Sequence, residues 1–324
     1  MRNHVSWKFV FAATLAFTSF NAFGQVWPQR PIKVLIGFAA AGTPDIATRM
    51  IAPKLGEALG QPIVIENRPG AGGVIAMEAV AKAVPDGYTI ALGTVGTMFL
   101  AKALIPTAAY DPVTSFAPLG SYCKFPFILV SNVTVPVHTA KEFMDLAKAQ
   151  PGKLNYGAST PGSPPHILAE LFKSQARVDI FGINYKGSAD AVTRFLAGDV
   201  QMMVDAWPSI GPMLAAKKAR ALLVTSNTRN SKIPEVPTAP EVGLPDYIVE
   251  SWLGFVGPAG TSDAIVTRFN SDLAKVMATR EMAEGMDNFS MEVFTNTPEQ
   301  FAARIRSDWQ KWSGAVKAAG IKVQ

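Results

Sequence analysis

The chain has 324 residues, of which 30 are basic, 25 are acidic and 48% are hydrophobic. This length buries roughly 75% of the unfolded chain's surface and typically forms two domains. The mixed charge includes no basic run, which argues against nucleic acid as a partner, and the single cysteine, Cys123, excludes an intramolecular disulfide.

Residues 1–24 have the pattern of a secretory signal peptide. Arg2 and Lys8 accompany an apolar run at residues 9–20, and Ala22-Phe23-Gly24 is a small-residue cleavage site. The run is too short for a bilayer, which takes about 20 apolar residues. After cleavage, 28 basic residues remain against 25 acidic ones, a net charge of +3. Because no cysteine follows the leader directly, we expect a periplasmic protein that is not a lipoprotein.

The first half of the chain predicts a β-α-β-α-β unit. Its continuous apolar runs are typical of strands covered on both faces, and the alternation with helices predicts a parallel sheet. Thr43 is the predicted N-cap of the first helix, and Pro44 suits its first turn. Pro53 predicts a kink or break because it removes a backbone donor. The remaining predictions are strands at 32–38, 62–67 and 85–94 and a helix at 74–84.

The second half repeats this architecture with a different sequence. Strands are predicted at 154–158, 179–185, 200–205 and 220–225, and helices at 166–174, 188–197 and 210–217. Two extended apolar stretches, 116–131 and 247–260, are interpreted as crossings between two domains. The predicted fold is therefore α/β, with two mainly parallel sheets flanked by helices, a cleft and a two-stranded hinge. The predicted domains are 25–122 with 250–324, and 123–249.

The stretch NYGASTPGSPPHILAELF at residues 155–172 has two interpretations. A secreted hydrolase would use Ser159 or Ser163 with His166, but the stretch lacks the G-x-S-x-G of a nucleophile elbow, and no carboxylate is placed to orient the imidazole. Alternatively, Ser163 caps a helix whose first turn holds two prolines. The free amides at that helix N-terminus then favour an anion.

Other loops support a binding site that uses backbone amides and hydroxyl groups. In open α/β sheets, ligands bind at the carboxyl ends of strands. Residues 38–45, 93–97 and 185–188 occupy such positions, and Asp205 ends another predicted strand. Small residues and hydroxyls suit a carboxylate ligand held at close quarters. Lys186 either neutralises that ligand or is simply solvated, and an acidic residue at position 45 complements its helix dipole or contacts the ligand.

Nucleotide, metal and catalytic sites are not predicted. Residues 70–75 lack the last glycine of G-x-G-x-x-G, and no phosphate-binding loop motif occurs. His166 and Glu170 share a helix face, but no further ligands follow at a recognisable spacing. We therefore expect no cofactor, no metal and no catalytic residue.

A series of motifs resembles one family over essentially the whole mature chain. In order they are RPIKVLIGF, AGTPD, GQPIVIENRPGAGG, PDGYTI, YGASTPGSPPH, YKGSADA, GDVQMMVD, VPTAPEVGLPDY and SWLGFVGPAGT. They resemble the Bug family, the extracytoplasmic solute receptors of tripartite tricarboxylate transporters. The resemblance implies a type II Venus-flytrap receptor that binds a small carboxylate and presents it to a membrane permease. A monomer is expected.

The resemblance and the loop positions together predict a set of ligand-binding residues. They are Phe38, Gly42, Thr43, Asp45, Thr94, Thr97, Ser159, Thr160, His166, Tyr185, Lys186, Gly187 and Asp205. The chain departs from the family pattern at Ala41, where a second glycine is usual, at Thr160-Pro161, and at Asn184, where proline is common. These departures lie in the predicted pocket, so the ligand is expected to differ from those of relatives.

Overall fold

The computed structural model describes residues 27–318. The predicted signal peptide and its cleavage site therefore lie outside the described residues. Within 27–318, no helix combines the length and the apolar character needed to cross a bilayer.

The strands and helices follow the predicted alternation. The strands between residues 27 and 318 are β1 (Ile32–Ile36), β2 (Ile63–Asn67), β3 (Thr89–Thr94), β4 (Phe116–Pro126), β5 (Ile128–Asn132), β6 (Asn155–Ala158), β7 (Phe181–Asn184), β8 (Met202–Asp205), β9 (Ala219–Val224), β10 (Glu250–Pro258) and β11 (Glu292–Val293). The helices in the same range are α1 (Thr43–Leu59), α2 (Val74–Ala81), α3 (Ala101–Leu104), α4 (Ala140–Ala149), α5 (Pro164–Ala176), α6 (Ser188–Ala197), α7 (Trp207–Ala215), α8 (Asp263–Met277), α9 (Arg280–Asn288) and α10 (Pro298–Ala318). A π-helical turn, Gly96–Leu100, leads from β3 into α3.

The strands form two sheets, which confirms the predicted two-domain α/β fold. The first sheet has the order β11-β4-β10-β3-β1-β2 and the second has the order β7-β6-β8-β5-β9. Pairs β1–β2 and β1–β3 are parallel, as are β6–β7 and β6–β8. Strands β4, β5 and β10 pair antiparallel with their neighbours. Each sheet is mixed because the strands that carry the chain between the domains run against the β-α-β strands.

The chain passes between the sheets twice, and hydrogen bonds from Thr225 connect the two passages. Strand β4 leaves the first sheet and β5 enters the second directly after Phe127, while the return passage runs from β9 to β10. The Thr225 amide donates to the carbonyl of Phe127 at 3.0 Å, and its hydroxyl donates to the carbonyl of Val249 at 2.6 Å. Helices α8 and α10 then pack on β4 of the first sheet.

Helix α1 differs from the sequence prediction at two points. Its N-cap is Gly42, and Thr43 is the first helical residue, whose hydroxyl has no hydrogen-bond partner among residues 27–318. The helix also continues through Pro53 to Leu59. Pro53 is exposed, whereas Ile51 and Leu55 are fully buried on either side of it. Their burial, worth about 1.5–3 kcal/mol each, offsets the hydrogen bond that the proline removes.

Candidate functional site

A cavity of about 920 Å³, including its open mouth, lies between the two sheets. Its walls come from the loops that follow the parallel strands: residues 37–44 after β1, 69–72 after β2, Thr94 in β3, 159–165 after β6, 186–189 after β7, and 205–206 at the end of β8. Ligands of open α/β sheets occupy this edge because the carboxyl ends of parallel strands meet there.

The N-termini of four helices contribute to the cavity wall. Gly42 of α1, Ser163 of α5, Gly187 of α6 and Ala206 of α7 are N-cap residues, and each lines the cavity. In these four helices no N-cap side chain accepts a hydrogen bond from a first-turn amide. Each helix N-terminus carries a partial charge of about +0.5, so the four together make a site for an anion.

The rest of the lining is mostly apolar or carries hydroxyl groups. Phe38, Phe125, Phe127 and Leu253 contribute apolar surface. Only two of the described lining residues are ionisable, namely Lys186 and Asp205. A cavity with few fixed charges and many amides binds an anion through hydrogen bonds more than through ion pairs.

Asp45 holds the first-domain loop in place from behind the lining. Its carboxylate accepts hydrogen bonds from the Ala41 amide at 2.9 Å, from Arg49 Nε at 3.0 Å and from Asn67 Nδ2 at 2.9 Å. Burial opposes the charge, but these hydrogen bonds hold the pKa of Asp45 below its usual value. Asn67 also donates to the carbonyl of Phe38 at 3.1 Å. The carboxylate therefore shapes the loop that presents the N-terminus of α1.

The support from Asp45 explains the departure at Ala41. This residue has a φ of 62°, in the left-handed region where glycine is usual. The cost of that conformation for alanine is about 1–2 kcal/mol, and a hydrogen bond to a charged group contributes a similar amount. The bond from the Ala41 amide to Asp45 thus stabilises a conformation that alanine seldom adopts.

Thr94 and Thr97 form a closed pair at the end of β3. The Thr97 amide donates to Thr94 Oγ1 at 3.0 Å, and the Thr94 amide donates to Thr97 Oγ1 at 3.1 Å. The hydroxyl of Tyr110 donates to the carbonyl of Thr97 at 2.5 Å. Thr94 lines the cavity, whereas Thr97 is fully buried behind it.

The second-domain loop is internally hydrogen-bonded. Ser159 Oγ donates to Ser163 Oγ at 2.8 Å, and the Thr160 amide donates to the same oxygen at 3.3 Å. His166 Nδ1 accepts the Gly162 amide at 3.1 Å, and burial lowers the pKa of this imidazole. His166 therefore braces the loop. It forms no hydrogen bond with either serine among the described residues, so the base–nucleophile pair of a hydrolase is not assembled.

The loop after β7 places a cation and a helix N-terminus at the mouth of the cavity. Lys186 is exposed there, and Gly187 is the N-cap residue of α6. A Cβ atom added to Gly187 would lie 3.7 Å from Cβ of Ala39 in the other domain. Tyr185 is half-buried against Gly157 outside the lining, and burial raises the pKa of its hydroxyl.

Asp205 is the buried acidic residue of the cavity. Asp205 is the last residue of β8, and it is only 4% exposed. Burial raises the pKa of Asp205 despite the opposing effects of the Ala206 amide and the nearby Ser188 and Ser209 hydroxyls. Oδ1 accepts the Ala206 amide at 2.8 Å, whereas Oδ2 has no hydrogen-bond partner among residues 27–318.

The two domains touch at glycines beside the cavity. A Cβ atom added to Gly96 in the first domain would lie 2.7 Å from Cγ of Pro164, the first residue of α5. A Cβ atom on Gly72 would lie 3.5 Å from the carbonyl oxygen of Gly162. The absence of side chains at these positions lets the domains approach closely.

The structure brings most of the predicted site residues together. Those that line the cavity are Phe38, Gly42, Thr43, Thr94, Ser159, Thr160, Lys186, Gly187 and Asp205. Asp45, Thr97, His166 and Tyr185 lie behind the lining instead. The hydrogen bonds of the first three to their own loops, and the packing of Tyr185 against Gly157, turn their side chains away from the cavity.

Sequence reasoning missed two groups of lining residues. The first group belongs to the loop after β2 and consists of Pro69, Gly70 and Gly72. This loop also follows the carboxyl end of a parallel strand, so the argument used for the other loops would have predicted it. The second group, Phe125, Phe127, Ser251 and Leu253, lies at the two crossings, which the sequence analysis interpreted as a hinge and not as part of the cavity wall. Among residues 27–318, no cluster of three His, Cys, Asp or Glu side chains is placed to hold a metal ion.

Comparison with known proteins places the chain among receptors. Residues 47–321 match the family described as tripartite tricarboxylate transporter family receptor. Protein BugT of Bordetella pertussis is 30% identical over 301 residues, which are 93% of this chain and 92% of BugT.

Two solved structures show the same architecture. Rpa4515 of R. palustris, solved with adipate, has a TM-score of 0.86 and 33% identity and covers 91% of this chain and 99% of its own. MatC of Rhodopseudomonas palustris, solved with bound malate, has a TM-score of 0.82 and 31% identity and covers 89% of this chain and 99% of its own. The receptor class, rather than a hydrolase, is therefore confirmed, and the chain belongs to the tripartite tricarboxylate transporter receptor family.

Proposed function

We propose that the chain is a periplasmic receptor that binds a small organic carboxylate in the cavity between its domains and delivers it to a tripartite membrane transporter. The single observation that supports this function most strongly is the meeting of four helix N-termini at one cavity. The adipate and malate bound by the two R. palustris proteins are consistent with a carboxylate ligand.

In this proposal the ligand carboxylate lies against the first turns of the helices. An exposed helix N-terminus stabilises an anion by about 0.3–1 kcal/mol, and a partly buried one by about 2 kcal/mol. Contributions from both domains favour the closed arrangement, because a ligand shifts a domain equilibrium only by its differential affinity for the two states. The predicted domain ranges, 25–122 with 250–324 and 123–249, describe the two moving bodies.

Thermal unfolding against a panel of carboxylates tests the proposal. Residues 25–324 are denatured and refolded to remove carried-over ligand, then heated with aliphatic dicarboxylates, citrate, acidic amino acids or aromatic carboxylates. Succinamide serves as the uncharged control, and sulfate serves as the general anion. A ligand at 100 times its Kd stabilises the folded protein by about 2.7 kcal/mol, which raises Tm by several degrees. No shift with any carboxylate, or an equal shift with sulfate, would contradict the proposal.

Delivery and location have their own tests. A fusion of residues 1–26 to alkaline phosphatase, which needs export for activity, reports on the predicted leader. Uptake of the labelled carboxylate by cells with and without this chain reports on the transporter. Uptake that continues unchanged after deletion of the gene would contradict the delivery step.

A further inference from the structure

The cavity contains a buried carboxyl oxygen that has no hydrogen-bond partner in the described part of the chain. Asp205 is 4% exposed, and its Oδ2 has no hydrogen-bond partner among residues 27–318. An unpaired buried polar atom costs about 1–3 kcal/mol, and more when it is charged. Such an atom in a binding cavity calls for a donor that arrives with the ligand.

The neighbouring groups do not supply that donor. The Ala206 amide binds Oδ1 at 2.8 Å, which fixes the orientation of the carboxyl group. Ser188 and Ser209 lie near the carboxyl group, and hydrogen bonding from their hydroxyls would lower the pKa of Asp205, but in the observed side-chain geometry neither hydroxyl is within hydrogen-bonding reach and angle of Oδ2. Lys186 is exposed at the mouth and does not pair with it.

The other domain presents a complementary unpaired group. Thr43 at the start of α1 is 6% exposed and lines the cavity, and its Oγ1 likewise has no partner in the described chain. A hydroxyl beside first-turn amides donates to a carboxylate, so the ligand carboxylate belongs at α1. A second carboxylate placed against Asp205 would not supply the donor that Oδ2 lacks. The part of the ligand that faces Asp205 must therefore be a hydrogen-bond donor.

We propose that the receptor selects carboxylates that also carry a hydroxyl or ammonium group, and that Asp205 Oδ2 accepts the hydrogen bond from that group. This inference rests on the proposed function and names its ligand class. The hydroxyl and the ammonium share the donor chemistry, and the ammonium adds a charge that pairs with the carboxylate. Asp205 is then the residue that determines specificity, while the helix N-termini bind the carboxylate common to all members of the class.

Matched ligands that differ only in the donor test the inference. Titration calorimetry on refolded residues 25–324 compares succinate with malate and aspartate, glutarate with 2-hydroxyglutarate and glutamate, and tricarballylate with citrate. A hydrogen bond to a charged group is worth about 1.5–3 kcal/mol. In at least one set we therefore expect the donor-bearing acid to bind about 10- to 150-fold tighter than its parent. Malate against aspartate separates the hydroxyl from the ammonium.

The substitution Asp205→Asn removes the acceptor and keeps the shape of the side chain. Since the Ala206 amide holds Oδ1, the new amide nitrogen takes the position of Oδ2 and cannot accept. The preference for the donor-bearing acid should fall to within about 3-fold, mainly through weaker binding of that acid. Asp246→Asn makes the same exchange at an exposed carboxylate outside the cavity and should keep the full preference.

Each result decides a different point. If in every set the parent acid binds the wild type as tightly as its donor-bearing partners, or if the preference survives Asp205→Asn, the inference is overturned and the receptor function is left intact. Absence of binding by every carboxylate overturns the proposed function instead. If Asp205→Asn does not fold, as judged by circular dichroism, the wild-type ratios alone decide.

Discussion

The substitution Gly96→Ala should hold the two domains apart without damaging either one. Gly96 lies in the helical turn after β3 and does not have a positive φ, so alanine suits its backbone. The added Cβ would lie 2.7 Å from Cγ and 2.8 Å from Cδ of Pro164, closer than carbon atoms approach in folded proteins. Its next contact, Oγ1 of Thr94 at the end of β3 in the same domain, lies at a tolerable 3.4 Å. The strain therefore falls on the closed arrangement.

The size of the effect follows from the cost of overpacking. One extra methyl group in a close-packed contact costs about 1–3 kcal/mol. In the proposed closure the ligand-free receptor is mainly open and escapes this cost, so nearly all of it should appear in ligand affinity, as an increase in Kd of about 5- to 150-fold. The free energy of unfolding of the ligand-free protein should stay the same or rise, since alanine is favoured over glycine in a helix by about 1 kcal/mol.

Calorimetry with the carboxylate that gives the largest thermal shift measures the change in Kd, and small-angle X-ray scattering compares the radius of gyration with and without it. Gly314→Ala is the matched control, because Gly314 lies in α10 with no atom within 4 Å of the added Cβ. It should stabilise the fold by up to about 1 kcal/mol and leave Kd unchanged. If Gly96→Ala has the Kd of the wild type and the same decrease in radius of gyration on binding, the Gly96–Pro164 approach plays no part in the bound state and this prediction is wrong.

Three further predictions concern single side chains. His166 has a lowered pKa and accepts the Gly162 amide through Nδ1, so its stabilising effect is complete above about pH 6.5 and is lost as the pH falls through the folded-state pKa. The free energy of unfolding, measured in urea at pH 7.5 and pH 5, should change less with pH in His166→Asn than in the wild type. An equal change in both proteins would contradict this. Thr43→Val should weaken carboxylate binding about 5- to 10-fold in calorimetry without lowering Tm, because its hydroxyl has no partner within the described chain; a large loss of Tm would count against the assignment. Lys186→Gln should raise Kd by no more than about 5-fold, an effect that 0.5 M NaCl removes, since the lysine is exposed; a larger, salt-independent loss would indicate a buried ion pair instead.

Much of the site was accessible from local sequence patterns. Apolar runs predicted the strands of both β-α-β units, and the loops at their carboxyl ends were expected to meet. Together with the family resemblance, these loop positions predicted Gly42, Ser159 and Gly187, and each lines the cavity. The same set also contained Asp45, whose role was left open between the helix dipole and the ligand, and His166, because sequence position gives the loop but not the direction in which a side chain points. Asp45 accepts a hydrogen bond from the Ala41 amide and His166 accepts one from the Gly162 amide, so both side chains point into their own loops and away from the cavity.

Local sequence patterns were enough to predict the alternation of strands and helices, the two α/β halves and the family motifs, because each of these depends on residues within about one element of each other. The uncapped helix starts were not predicted: Thr43 and Ser163 were expected to cap their helices, and neither side chain does so. The mixed pairing of the sheets and the entry of Phe125 and Phe127 into the cavity wall depend on tertiary contacts. So does the absence of a partner for Asp205 Oδ2 among residues 27–318. The residues of β10 that pair with β3 are separated from it by about half of the chain, and Thr43 lines the same cavity as Asp205 only when both domains are folded. Such contacts arise from burial and hydrogen-bond pairing between segments far apart in sequence, which no local pattern specifies.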